Sequence, residues 1–304
     1  MKAIKLASVF AVTAVAAAVS TTTFAAEAII TGEAGLEYVN FSSDSTKSTS
    51  LSGNKAAELE LQVDTGIVYA ELEFKTTGTD SKNNDADESV IVGLEKIYVK
   101  QGAVSFGRFD GSVSTGAFMG MDEIQSGVDL NTALGTNGDT DDTGLRYKVT
   151  PELTVAIEAT EATATEDSDV GVAASYVHDF GGFKVGISGG AIGDASAANI
   201  GAQTVVGPAT LSLNYGSGKT GNKVGTNVTK DVELMTASVA VAATEALTLT
   251  LEYSQDLETA KEPTGTYFVG EYAVGDLTYY VKNYNGDLVG NADERTIVGV
   301  KAAF

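Results

Sequence analysis

Apolar and polar residues alternate with period two through nearly the whole chain, and this rhythm limits the fold more than any composition figure. Ala57, Leu59, Leu61 and Val63 oppose Glu58, Glu60, Gln62 and Asp64, and Val68, Ala70, Leu72 and Phe74 oppose Tyr69, Glu71, Glu73 and Lys75. Leu145, Tyr147 and Val149 oppose Arg146 and Lys148; Leu153, Val155 and Ile157 oppose Thr154, Ala156 and Glu158. Leu247, Leu249, Leu251 and Tyr253 oppose Thr248, Thr250, Glu252 and Ser254. Such alternation is the mark of an extended strand with two unlike faces. A slip of one residue would put charges on the apolar face, so the register is strongly specified.

The alternation predicts sixteen strands, near 29–39, 55–64, 67–76, 90–100, 103–110, 142–149, 152–160, 169–179, 183–191, 200–206, 209–216, 231–241, 246–256, 265–274, 277–284 and 294–304. Their connections alternate between short turns, such as Thr65-Gly66, Gly207-Pro208 and Gly275-Asp276, and long polar loops, such as NFSSDSTKSTSLSGN. Pro151 and Pro208 fall in short turns and Pro263 in a long loop, so proline breaks no strand interior. No run of 18 apolar residues follows Glu27, which excludes membrane-spanning helices. Short turns at one end and long loops at the other describe an all-β, 16-stranded antiparallel transmembrane barrel, whose tilted strands of about 9–11 residues cross the bilayer. Two strands, 200–206 and 209–216, read short. Carboxylates on the polar face line water and the apolar face meets lipid. Tyr38, Tyr147, Tyr176, Tyr253, Tyr272 and Tyr279 supply aromatic girdles in a chain without tryptophan.

The ends follow separate rules. Lys2 and Lys5 precede an uncharged stretch from Leu6 to Ala26, and Thr23-Phe24-Ala25 offers small residues before Glu27. Residues 1–25 therefore read as a signal peptide and 26–304 as the barrel domain. At the other end, ERTIVGVKAAF alternates as a strand that has to pair with the first one, since an open edge in lipid would leave backbone polar groups unsatisfied. Ile297 is its one misfit, apolar in the polar phase. The net charge of −22 argues against nucleic acid, and the absence of cysteine excludes disulfides and thiolate metal sites.

KIYVKQGAVSFGRFDG (Lys96 to Gly111) resembles the signature of general Gram-negative porins: an aromatic-containing strand, a tight turn, and a strand ending in Gly-Arg. TGLRYKVTPELTVAIEAT is similar to that family's next hairpin, and the terminal phenylalanine resembles the signal its barrels present for outer-membrane assembly. The resemblance implies an outer-membrane homotrimer, in contact with membrane lipid and lipopolysaccharide, with short periplasmic turns, long external loops and the third loop folded into the lumen. Residues 111–141 fit that loop: they lack alternation, carry Asp122, Glu123, Asp129, Asp139 and Asp141, and contain no Lys or Arg.

Asp122, Glu123 and Asp129 are the expected constriction charges, and Glu58, Glu60, Glu71, Glu73, Arg146 and Lys148 the expected pore wall. Arg108 matches the motif arginine. It shares phase with Val104 and Phe106, so its expected lumenal position requires a bulge near Gly107. Excess acid on the inward faces predicts weak cation selectivity for small hydrophilic solutes and ions. No catalytic constellation, cofactor fingerprint or metal site stands out: His178 is the one histidine, and DTDDTG at 139–144 lacks the acid that closes a calcium loop. The expected function is passive diffusion, not catalysis. The alternatives are a substrate-selective pore, whose sugar form would need a lumenal ladder of aromatics, and a secreted β-rich adhesin.

Overall fold

The structure is a computed structural model that describes residues 27–42, 47–52, 57–76, 90–116, 119–130, 143–160, 167–221, 229–290 and 293–304. The expected signal peptide, Asp139, Asp141 and the DTDD stretch lie outside these residues. The strands are β1 (Glu27–Phe41), β2 (Ser50–Ser52), β3 (Ala57–Asp64), β4 (Val68–Thr76), β5 (Val90–Gln101), β6 (Val104–Arg108), β7 (Thr143–Lys148), β8 (Leu153–Ala159) and β9 (Val170–Asp179). They continue as β10 (Phe183–Ile192), β11 (Ala195–Val206), β12 (Ala209–Lys219), β13 (Asp231–Ala242), β14 (Leu247–Asp256), β15 (Thr264–Val274), β16 (Leu277–Asn285) and β17 (Arg295–Ala303). Among the described residues these segments fill sixteen positions, because β2 and β3 follow one another along the same side of β1.

β1 pairs antiparallel with β2 and β3, each strand from β3 onward pairs antiparallel with the next, and β1 pairs with β17 from Glu33↔Ala303 to Phe41↔Arg295. Gly32 and Phe304 exchange both backbone bonds at 2.9 Å, extending the seam. Closure pairs the first strand with the last, which removes the edge that an open sheet would present to hydrocarbon.

The burial code is inside out. Leu36, Phe106, Leu145, Ile187, Leu213 and Val298 are exposed, and Val172 reaches 62%, whereas Glu252 is fully buried. Water would penalise that outer surface; hydrocarbon would not. All six tyrosines expected in the girdles are exposed on this outer face. His178 joins them, lying parallel to Tyr176 and edge-on to Phe180 at 4.4 Å.

Two strands are longer than the alternation predicts. β11 and β12 run to twelve and eleven residues, and Gly193-Asp194 alone connects β10 to β11. Gly193 supplies the positive φ (54°) of that turn. The alternation fails here because Ala195 and Ala197 are apolar on the lumenal side, buried under the third loop.

Candidate functional site

The lumen is narrowed by the segment that follows β6. That strand ends after five residues because the chain turns inward at Phe109, which stacks on Tyr98 (centroids 4.8 Å apart), itself stacked on Tyr69 (5.1 Å). Gly107 has φ +140°, and a Cβ there would lie 2.5 Å from the Ile97 carbonyl oxygen, so no other residue fits without rearrangement. The Arg146 guanidinium sits 4.1 Å from the Phe109 ring centre and its Nη2 donates to the Gly111 carbonyl at 2.7 Å, fixing the loop's root.

An irregular segment inside a barrel has no ladder to satisfy its backbone, so side chains of the wall must do so. Glu158 accepts from Ser112 Oγ (2.6 Å) and Val113 N–H (2.7 Å). Ser188 Oγ donates to the Thr115 carbonyl at 2.5 Å, and the Asn214 amide donates to that of Met119. Asn199 holds both backbone groups of Val128. Glu252 accepts from the N–H groups of Glu123 (2.9 Å) and Ile124 (3.0 Å) and from Ser254 Oγ (2.8 Å). Thr236 Oγ1 reaches the Gln125 carbonyl at 2.5 Å. The loop's outgoing and returning arms also bond to each other, Leu130 N–H to Ser114 carbonyl at 3.0 Å.

Apolar contacts reinforce these bonds at two places. Val113, Val128 and Leu130 pack on Ala156, Ala173, Ile192, Ala195 and Ala197. Nearer the tip, Met121 and Ile124 pack against Val39, Tyr267, Val269, Tyr280, Tyr284 and Ile297. Ile297, the misfit in the alternation, faces the lumen because the loop tip covers it there, beside its register partner Val39.

The expected constriction acids separate. Asp122 and Glu123 lie exposed at the tip, and Glu123 Oε2 accepts from Tyr284 OH at 2.9 Å, with the Arg295 guanidinium 3.9 Å from the Tyr284 ring centre. Asp129 is on the returning arm, between Val128 and Leu130. Partial loss of hydration and the neighbouring Glu123 carboxylate raise the Asp122 carboxyl from the ordinary aspartate value.

On the wall, Glu60 and Glu73 are direct cross-strand partners. Glu60 accepts from Thr31 Oγ1 at 3.3 Å, Glu73 is buried, and Glu58 lies in register between Glu33 and Lys75. Glu71 is paired with Lys96 Nζ at 2.7 Å and accepts from Tyr69 OH. Arg146 and Lys148 line a bay of about 620 Å³ below the loop's root, with Lys96, Tyr98, Phe109 and Asp110. Arg108 departs from expectation. Its register partner is the outward Ile97, and its Nε donates to the Leu94 carbonyl at 2.9 Å. Gly107 pairs regularly with Tyr98; the register shift lies one strand pair away, between Glu71 and Leu72.

The residues that hold the loop, Glu158, Asn199 and Glu252, escaped the sequence reading. Two of them appeared there only as acids on a solvated face. Their signal is weak: nothing local distinguishes a carboxylate facing water from one facing another segment's amides. Among the described residues, no group of three or more His, Cys, Asp or Glu side chains converges as a metal site.

No protein-family model and no curated protein matches the chain. Solved structures do. OmpF of Salmonella typhi, in complex with daunomycin, superposes with a TM-score of 0.63 at 14% identity, over 91% of this chain and 98% of that one. The anion-selective porin of Comamonas acidovorans gives 0.63 at 15% identity, over 92% and 100%. The outer membrane channel DcaP of Acinetobacter baumannii gives 0.58 at 15% identity, over 94% and 99%. The chain has the fold of the porin barrels.

Proposed function

We propose that the protein is a passive diffusion pore of the Gram-negative outer membrane, admitting small hydrophilic solutes and ions with a weak preference for cations. The observation that carries this reading is the third connection itself. It is an irregular segment held inside a closed barrel by wall side chains, Arg146, Glu158, Ser188, Asn199, Asn214, Thr236 and Glu252 among the described residues, an arrangement that narrows a water-filled passage without plugging it. The likeness to porin structures supports the fold, and the apolar outer belt supports a membrane setting. The cation preference follows from the acids on the walls of β1, β3 and β4 together with Asp122 and Glu123 at the loop tip. Fixed charge between low-dielectric walls acts on every passing ion. The pore carries its solutes chemically unchanged. Export under a signal peptide, trimeric assembly and contact with lipopolysaccharide belong to the same proposal.

Purified protein in a planar bilayer tests it. Conductance in steps of three and a reversal potential on the cation side of a salt gradient are the expected results, and high salt weakens the preference by screening. Reversal on the anion side overturns the selectivity, and absence of conductance overturns the pore.

A further inference from the structure

The bay below the root of the third loop gathers cations, aromatic rings and hydroxyls into one concavity. Its charged lining is Lys96, Arg146, Lys148 and the single acid Asp110, in a chain whose net charge is −22. Lys96 is engaged by Glu71 at 2.7 Å and Asp110 at 3.6 Å. Arg146 is oriented by the Phe109 ring and the Gly111 carbonyl. Lys148 is exposed to the bay and makes no ion pair among the described residues. Beside these cations stand the stacked rings of Tyr69, Tyr98 and Phe109, with their faces turned to one another, so that their edges and the outer face of the stack are what a guest meets. The same stretch of wall carries the hydroxyls of Ser105, in register with Arg146, and of Thr154 and Ser175. Thr154 pairs in register with both Lys148 and Ser175, so cation and hydroxyls share one rung.

Positive charge, aromatic edges and hydroxyls within one concavity recognise a molecule that is anionic at one end and ring-like at the other. Asp110 limits the charge such a guest carries. A dianion would face that carboxylate and Glu71 behind it, whereas a monoanion meets Arg146 and Lys148. At about 620 Å³ the bay falls within the range of small-molecule sites and holds one ring with its water. Resting on the pore reading above, we propose that this bay is a binding subsite for small ring-bearing monocarboxylates, an anion-holding station beside a cation-favouring passage. Aromatic acids and sugar acids share this chemistry. A guest seated there interrupts ion flow while it stays.

The test is single-channel recording at neutral pH with millimolar 4-hydroxybenzoate or glucuronate. Both are expected to produce discrete, concentration-dependent current interruptions that equal concentrations of acetate or glucose do not. The stronger of the two identifies the source, aromatic or sugar. Lys148→Gln should weaken the block about tenfold, the loss expected of one hydrogen bond to a charged group, with a strand-type circular dichroism spectrum confirming that the variant folds. Lys219→Gln, far from the bay at the other end of the barrel, should leave the block as it was. Equal block by glucose or acetate, or a block indifferent to Lys148→Gln, overturns the subsite. A channel that conducts but is never interrupted overturns the subsite and spares the pore; a protein that does not conduct overturns both.

Discussion

Asn199 grips Val128 by both ends of its amide: Oδ1 accepts the Val128 N–H and Nδ2 donates to the Val128 carbonyl, each at 2.7 Å. The side chain thus does for one residue of the loop what a neighbouring strand does for a residue in a ladder. In Asn199→Ala the Val128 groups stay buried and lose their partners, at about 1–3 kcal/mol for each. The loop's returning arm should loosen, and single-channel records should show a larger and noisier open current than the native protein.

Glu252 secures the loop tip through two consecutive N–H groups. Glu252→Gln keeps one acceptor and turns an amide NH₂ toward donors; Glu252→Ala removes both acceptors. Conductance should rise in that order. Because Asp122 and Glu123 ride on the same turn, the cation-to-anion permeability ratio should fall in parallel, measured by reversal potential.

Acid should act on Asp122 ahead of unperturbed aspartates. Its carboxyl is raised from the ordinary aspartate value, so it takes up a proton at a higher pH than an unperturbed aspartate does as the solution is acidified. The cation-to-anion permeability ratio should decline as pH falls through that raised value, and Asp122→Asn should remove this early step while leaving any later decline. Reversal potentials collected from neutral pH downward check both statements.

Ile297 and Val298 are adjacent yet belong to different environments. Ile297 is buried under the loop tip; Val298 is exposed on the outer belt. Ile297→Ala should cost about 2–5 kcal/mol, the range for emptying a packed site, and Val298→Ala much less. Urea unfolding from lipid vesicles gives both values.

Leu251 lies midway along β14 on the outer face. With hydrocarbon around it, Leu251→Arg should cost about 2–4 kcal/mol. With water around it, the same change would stay within about 0.5 kcal/mol. The unfolding free energy in vesicles separates the two settings.

The strands were legible because lipid and lumen write opposite demands onto successive residues, and Leu247 to Ser254 of β14 shows this at each step. The reading failed where a third environment intervened. Ala195, Ala197 and Ile297 face inward but meet the loop, so they are apolar where the rule asks for polar residues. The path of the loop was legible only through resemblance. Its seating depends on Glu158, Asn199 and Glu252, which are up to 129 residues from their partners in sequence. The stacked rings of Tyr69, Tyr98 and Phe109 were missed for a related reason. They lie apart in the sequence, and only pairing of β4 with β5 and the turn after β6 brings them into a row.

The seam between β1 and β17 has a bearing on biogenesis. Half of the hydrogen-bonding capacity of β1 is reserved for a strand that is made more than 250 residues later, and no intermediate lacking β17 can shield it. Contacts that distant in sequence form slowly. The ring is therefore completed in one late step, and until then the opening strand must be guarded from every other unpaired edge in its surroundings.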